Sequence, residues 1–206
     1  LFQLDNDVDP ETPVPVVRAK PRFSGQIPLV LRKRFPEDVK KAVLGAFKKG
    51  VVNEHTGLNV GMSGRDFHKH LDTKDSIDEL AHLEAVASLP ELMRTARRIE
   101  SHGDKYTRSS VKLSNVQRFI SVFSDGSGDY AVLLTVKEHG PGQYVLDKEN
   151  PVRVYHHRVE KQLTSAPSTE SGVEPTSSST PSNVNDYTIQ ELLKGVKDSQ
   201  GQLYFK

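Results

Sequence analysis

The sequence has no cysteine and no tryptophan. The first absence excludes disulfide staples and every thiolate-ligated metal site, and it fits a reducing compartment as well as a simple lack of selection for disulfides. Aromatic residues make up only 7% of the chain. No apolar run approaches the ~18–20 residues that cross a bilayer, so no membrane partner is expected. Charge of one sign is missing too: 28 basic residues face 27 acidic ones, for a net charge of +1. That balance argues neither for nor against nucleic acid, because a nuclease need be basic only locally. The first residues, Leu1-Phe2-Gln3-Leu4-Asp5, contain no Met, no basic region and no apolar region. They do not form a signal peptide, and they imply a start elsewhere in a longer polypeptide.

Familiar catalytic motifs are absent as well. The sequence has no G-x-x-x-x-G-K-[ST], no H-E-x-x-H and no G-x-S-x-G. Asp125-Gly126-Ser127-Gly128-Asp129 lacks the closing Glu of a calcium loop and reads as a hairpin turn. No metal and no cofactor are expected.

What is present is unevenly distributed. Residues 1–22 hold Pro10, Pro13, Pro15 and Pro21 and no apolar period, which predicts an extended or disordered lead. Residues 161–184 are dominated by Ser, Thr and Pro, the composition of a flexible linker. Between them, residues 23–160 carry enough apolar pattern for one domain. Residues 185–206 read as a helix-strand segment that starts a neighbouring module or docks on one.

Within the domain, Ile27-Pro28-Leu29-Val30-Leu31 reads as an edge strand because of its Pro. Pro36 opens a helix over Glu37 to Phe47, closed by Gly50. Val51 to Met62 gives two short strands around Glu54-His55-Thr56-Gly57, and Ser63 caps a helix over Gly64 to Leu71. Ser76 with Glu79 forms a capping box for a helix striped by Ile77, Leu80, Leu83 and Ala87. Pro90 restarts a helix to about Arg98. The second half is strand-like: Val116 to Phe123, a central Tyr130 to Lys137, then Tyr144 to Leu146 and Val152 to Val159. Helices first and a mainly antiparallel sheet after them predict an α+β fold.

Eight His residues invite a search for acid–base chemistry. His68 and His70 point about 200° apart on a helix and cannot share a metal. His82 is expected off the core-facing side of its helix, toward solvent or a cleft. Lys137 ends the most apolar strand, where a fixed cation could meet a developing phosphorane charge or simply mark the exit to solvent. Arg153, Tyr155 and His157 alternate onto one strand face. Such a set could bind phosphate and supply a general acid for RNA cleavage, and it is equally the composition of an exposed edge strand. Arg118 could join the same face.

Four stretches together resemble a known family. They are Ile27-Pro28-Leu29; Val52-Asn53-Glu54-His55-Thr56-Gly57-Leu58-Asn59-Val60; the helix from His82 to Leu92; and Val116-Gln117-Arg118-Phe119 with Tyr130-Ala131-Val132-Leu133-Leu134-Thr135-Val136-Lys137-Glu138. These are similar to the large polyvalent protein-associated domains of giant phage and mobile-element proteins, some of which are close to the Barnase–EndoU–ColicinE5/D–RelE-like (BECR) nuclease fold. The resemblance implies a BECR-like architecture and a metal-independent, toxin-type endoribonuclease. His82, Arg118, Lys137, Tyr155 and His157 would be the catalytic set, with Arg153, Arg118 and Lys137 on the nucleic acid. Its alternative implication is a non-catalytic accessory domain that binds protein or nucleic acid between catalytic modules. Partners would be RNA or other nucleic acid and neighbouring modules of the same polypeptide, in the cytoplasm of a bacterial host or delivered with a virion or mobile element. One departure bears on catalysis: Gln117 stands where the family pattern has His before Arg118. The tail, with Leu192-Leu193-Lys194-Gly195, resembles the connector ahead of a next module.

Overall fold

The structure is a computed structural model that describes residues 4–74, 76, 78–103, 115–126, 128–148, 151–157 and 186–195, with backbone alone for His156, His157 and Gly195. The first layer is helical: α1 (Pro28–Lys33), α2 (Glu37–Lys49), α3 (Gly64–His70), α4 (Glu79–Ala87) and α5 (Leu89–Thr95). Helix α2 forms where expected. Glu37 and Asp38 in its first turn and Lys48 and Lys49 in its last complement the helix dipole. Gly50 follows with φ +85°, a backbone conformation that strains any other residue, and a Cβ there would also displace the Asn59 side chain. Ser63 caps α3 as expected, its Oγ accepting from the Asp66 amide at 3.2 Å.

Three local expectations are corrected. The stretch after Ile27 is α1 and not an edge strand, because Pro28 sits in the first turn, where its missing N–H costs nothing. Asp78, not Ser76, caps α4, its Oδ1 accepting from Ala81 N at 2.9 Å. The helix after Pro90 stops at Thr95, and Arg97–Gly103 turns into strand β5.

The sheet is built on a long hairpin of β6 (Asn115–Ser124) and β7 (Asp129–Gly140), in register from Val116↔Lys137 to Ser124↔Asp129. Gly126, at φ +88°, sits in the Asp125-Gly126 stretch that joins them. Each outer edge of this hairpin carries two strands in succession. Strand β6 pairs with β5 along Asn115 to Ile120 and with β2 (Val16–Arg18) along Val122 to Ser124. Strand β7 pairs with β9 (Arg153–His157) along Asp129 to Leu133 and with β8 (Gln143–Leu146) beyond it. Strand β4 (Asn59–Gly61) continues from β8, and β3 (Val51–Val52) from β4. The fold is α+β with a mixed sheet: most pairs are antiparallel, while β2–β6 and β4–β8 are parallel.

The sheet separates two cores. On the inner face, Phe119, Phe123, Val132, Leu134 and Val154 pack against Phe23, Phe47, Phe67, Leu83 and Leu92. On the outer face, Ile120, Val122, Ala131, Leu133 and Tyr155 form a smaller cluster with Val14, Ile189 and Leu192. The last three come from the two ends of the chain. Strand β1 (Pro13–Val14) pairs with β10 (Tyr187–Thr188), and α6 (Ile189–Gly195) follows at once. The lead is therefore extended and hydrogen-bonded. The described part of the tail, residues 186–195, is a short strand followed by the expected helix, and it docks on this domain's own sheet; the strand expected after it and the linker over 161–184 lie outside the described residues.

Candidate functional site

Strand alternation decides which ionisable side chains can meet. On the outer face, the end of the sheet away from the apolar cluster carries Glu100 on β5, Arg118 on β6 and Thr135 on β7, aligned through Glu100↔Arg118 and Arg118↔Thr135. One step further along lie His102 and Lys137, both opposite Val116. Arg118 Nη1 donates to Glu100 Oε2 at 2.5 Å, with both side chains largely shielded from solvent. His102 Nε2 lies 3.7 Å from Glu100 Oε1. Its Nδ1 is 3.0 Å from the Gly103 carbonyl, which can only accept, so Nδ1 carries the proton and Nε2 faces the carboxylate. Neighbouring strands stand about 4.8 Å apart, so a small anion could be reached from all three. Glu100 and His102 were not singled out in the sequence. The sequence signal for them is weak: β5 has one buried apolar residue, Ile99, a register shift between Arg98 and Glu100 breaks its alternation, and the helix expected to about Arg98 overruns Thr95 by three residues.

The expected residues divide between places. Arg118 and Lys137 belong to the polar end just described. Arg153 sits opposite Leu133, where the polar end meets the apolar cluster. Tyr155 is 3% exposed and part of that cluster. The backbone of His157 pairs opposite Asp129, and its side chain lies outside the described residues.

His82 is on the other side of the sheet. Its helix α4 was expected to have a solvent side, but every residue from Ala81 to Ala87 is buried. His82 itself is 0% exposed. Its Nε2 is 2.7 Å from the His70 carbonyl and so carries the proton. Its Nδ1, 2.6 Å from Ser76 Oγ, then accepts from the hydroxyl. Ser76 Oγ in turn accepts from Val154 N at 3.3 Å, and His70 Nδ1 accepts from Val152 N at 3.4 Å. The neutral ring thus ties α3 and α4 to β9. Burial lowers the pKa of His82 to about 4; burial and the neighbouring His82 lower that of His70 to about 4. His68 is exposed and His70 buried, so the two do not share an environment.

The Asn53-to-Gly57 motif is also structural. Asn53 is 0% exposed, and its Nδ2 donates to the carbonyls of Met93 at 2.7 Å and Ala96 at 2.9 Å. Its Oδ1 accepts from Thr56 N and Thr56 Oγ1, both at 2.9 Å. One side chain thus holds the β3–β4 turn and two carbonyls at the end of α5. Gly57 completes the turn at φ +71°.

A second basic surface lies elsewhere. A groove of about 590 Å³ runs between the Val17-to-Arg22 stretch and the α4–α5 corner. Arg22 Nη1 crosses it to Ser88 Oγ at 3.3 Å, and the Glu91 carboxylate on its far wall is paired with Arg94. It adjoins the Val122–Ser124 end of β6, away from Arg118.

Among the described residues, no group of three or more His, Asp or Glu is placed to hold a metal ion. Among them, too, no helix is long and apolar enough to cross a membrane. The searches of curated proteins and of solved structures each return no match to the chain. A family model, large polyvalent protein-associated domain 3, matches residues 32–155, from the end of α1 to β9. That match spans more than half of the sequence, and the chain belongs to the large polyvalent protein-associated domain 3 family, a module of large polyvalent proteins.

Proposed function

We propose that this module, within a large phage or mobile-element protein, binds RNA at the polar end of its outer sheet face and cleaves it without a metal. One observation carries the reading: Glu100, His102, Arg118 and Lys137 stand on one face of three adjacent, hydrogen-bonded strands. Rigid strands hold charges where a phosphate's charge develops. In this scheme the Glu100 carboxylate takes the proton of a ribose 2′-hydroxyl, whose oxygen attacks phosphorus. Protonated His102 gives its proton to the departing 5′-oxygen as the P–O bond breaks, leaving a 2′,3′-cyclic phosphate. Arg118 and Lys137 neutralise the phosphoryl oxygens, with Arg153 beside them. His82 takes no part, since the sheet lies between it and this face.

A single-stranded RNA labelled at both ends, incubated with the intact protein in the presence and absence of EDTA, tests the scheme. Cleavage that persists in EDTA and disappears in His102→Ala is expected. Cleavage unchanged in His102→Ala and Glu100→Gln would remove the assignment. A second reading, a non-catalytic accessory domain, is favoured by the Arg118–Glu100 pair, which compensates the arginine's charge without any ligand. It requires RNA or protein binding without turnover.

A further inference from the structure

The segment matched by the family holds an apolar seat on its outer sheet face but neither of the segments that cover it. The seat is Ile120, Val122, Ala131, Leu133 and Tyr155. Its covers are β1, from before residue 32, and β10 with α6, from after residue 155. The two covers bind each other as well as the seat. Strand β10 pairs with β1, Ile189 N donates to the Thr12 carbonyl at 3.2 Å, and Gln190 N donates to the Pro10 carbonyl at 2.9 Å.

The 186–195 segment has the marks of a ligand. Ile189 and Leu192, three residues apart on one helix face, are both 0% exposed in the seat. The Tyr187 hydroxyl bonds the Asp129 carboxylate on β7. The helix start is self-sufficient: Glu191 N donates to Thr188 Oγ1 at 3.2 Å, and Thr188 N donates to Glu191 Oε2 at 2.8 Å, a reciprocal capping box. Residues 158–185 separate it from β9 in sequence, far beyond the ~2–6 residues of an ordinary connection. Covalent linkage raises the segment's effective concentration at the seat, and the strand pairing, the buried Ile189 and Leu192 and the Tyr187–Asp129 bond are contacts it would keep without that linkage.

We propose that the seat is a peptide-recognition site for a strand–helix segment of the form Tyr187-Thr188-Ile189-x-x-Leu192, and that it also takes residues 186–195 in trans, from a second copy of this chain. Recognition combines strand addition to β1 with a helix laid on an apolar face, two established modes of peptide binding. The proposal does not depend on the RNA reading, because the seat and the polar end share neither Ile189 nor Leu192.

The test uses the full chain with a protease site inserted between Ser165 and Ser182. After cleavage, size-exclusion chromatography asks whether the C-terminal fragment still travels with the body. A fluorescent peptide of residues 184–197 is then added to the cleaved protein, and its anisotropy is followed. The expected result is co-elution, with saturable exchange of the labelled peptide into the complex. A peptide carrying Leu192→Asp should bind at least about tenfold more weakly, as for an interface anchor. A peptide carrying Lys194→Ala, whose side chain is exposed, should bind like the parent. Release of the fragment on cleavage, or equal binding of the Leu192→Asp peptide, would overturn the proposal. The peptide arms alter only the peptide, so misfolding of the body cannot imitate a difference between the parent and Leu192→Asp peptides, and unchanged urea unfolding of the uncleaved chain shows that the inserted site leaves the body intact.

Discussion

The two faces of the sheet use similar residues for opposite ends. The inner face places His82, His70 and Asn53 at 0–1% exposure and joins nearly every polar atom of theirs to backbone or to a neighbouring side chain. The outer face carries apolar side chains at one end, beneath the β10–α6 segment, and Glu100, His102, Arg118 and Lys137 at the other. A buried imidazole whose nitrogens both have partners acts as a strut, since its bonds are already committed. The His102 imidazole, 3.7 Å from the Glu100 carboxylate, keeps part of its ring exposed on the sheet surface. The type of residue is the same in both cases, and the side of the sheet decides its surroundings.

The largest test of this contrast is His82→Ala. It removes a fully buried ring and strands the Ser76 hydroxyl and the His70 carbonyl. We expect a loss of about 3 kcal/mol in urea unfolding, from the cavity and the unpaired groups together. RNA affinity of the protein that remains folded should not change. A stable His82→Ala protein that has lost RNA cleavage would instead make His82 a working residue and undo the separation of the two faces.

Acidification probes the inner face without mutation. Both His82 and His70 have folded pKa values lowered to about 4 against about 6.5 in the unfolded chain. The unfolded state therefore binds more protons between these values. Stability is complete above about pH 6.5 and is lost as pH falls toward 4, by at most about 3 kcal/mol for either ring and less than the sum for the coupled pair. The nearby carboxylates of Asp72, Asp66 and Asp147 pull the two values upward, an effect already contained in the figure of about 4. Urea midpoints measured from pH 7.5 to pH 4.5 give the slope. A flat profile over that range would mean the two rings are charged or exposed in the folded state.

Much of this architecture could be read from the chain, and the misses have common physical causes. The central hairpin was legible because β6 and β7 are long, apolar and joined by Asp125-Gly126, a signal that needs no tertiary context. The caps at Ser63 and the turn at Gly57 were legible for the same local reason. Strand β5 was not, because Arg97 to Gly103 has one buried apolar residue, Ile99, and takes its strand conformation from pairing with β6. His82 was misplaced because a helix was assumed to keep a wet side, whereas α4 is packed by α1, α2 and β9. The tail was set apart by its distance in sequence. Its pairing with β1 is a long-range contact that no local pattern announces. At the candidate site, Arg118 and Lys137 were visible as strand-end cations, while Glu100 and His102 went unseen with the strand that carries them.

The smallest expected change in stability belongs to the outer face and carries the sharpest functional contrast. Lys137 is half-buried on β7, between Val116 of β6 and Val145 of β8. Replacing it by alanine keeps the strand register and removes no core residue, so unfolding should shift by no more than about 0.5 kcal/mol. If Lys137 meets a phosphate, the same change weakens RNA binding at all sequences alike and lowers the slope of log affinity against log salt by about 1. Titrations of labelled RNA at several salt concentrations read that slope directly. Paired with His82→Ala, the expected pattern is a crossing: one variant loses stability and keeps its salt slope, and the other keeps stability and loses slope. A Lys137→Ala protein with an unchanged slope would place the nucleic-acid surface elsewhere, and the groove lined by Arg18, Lys20 and Arg22 would be the next face to test.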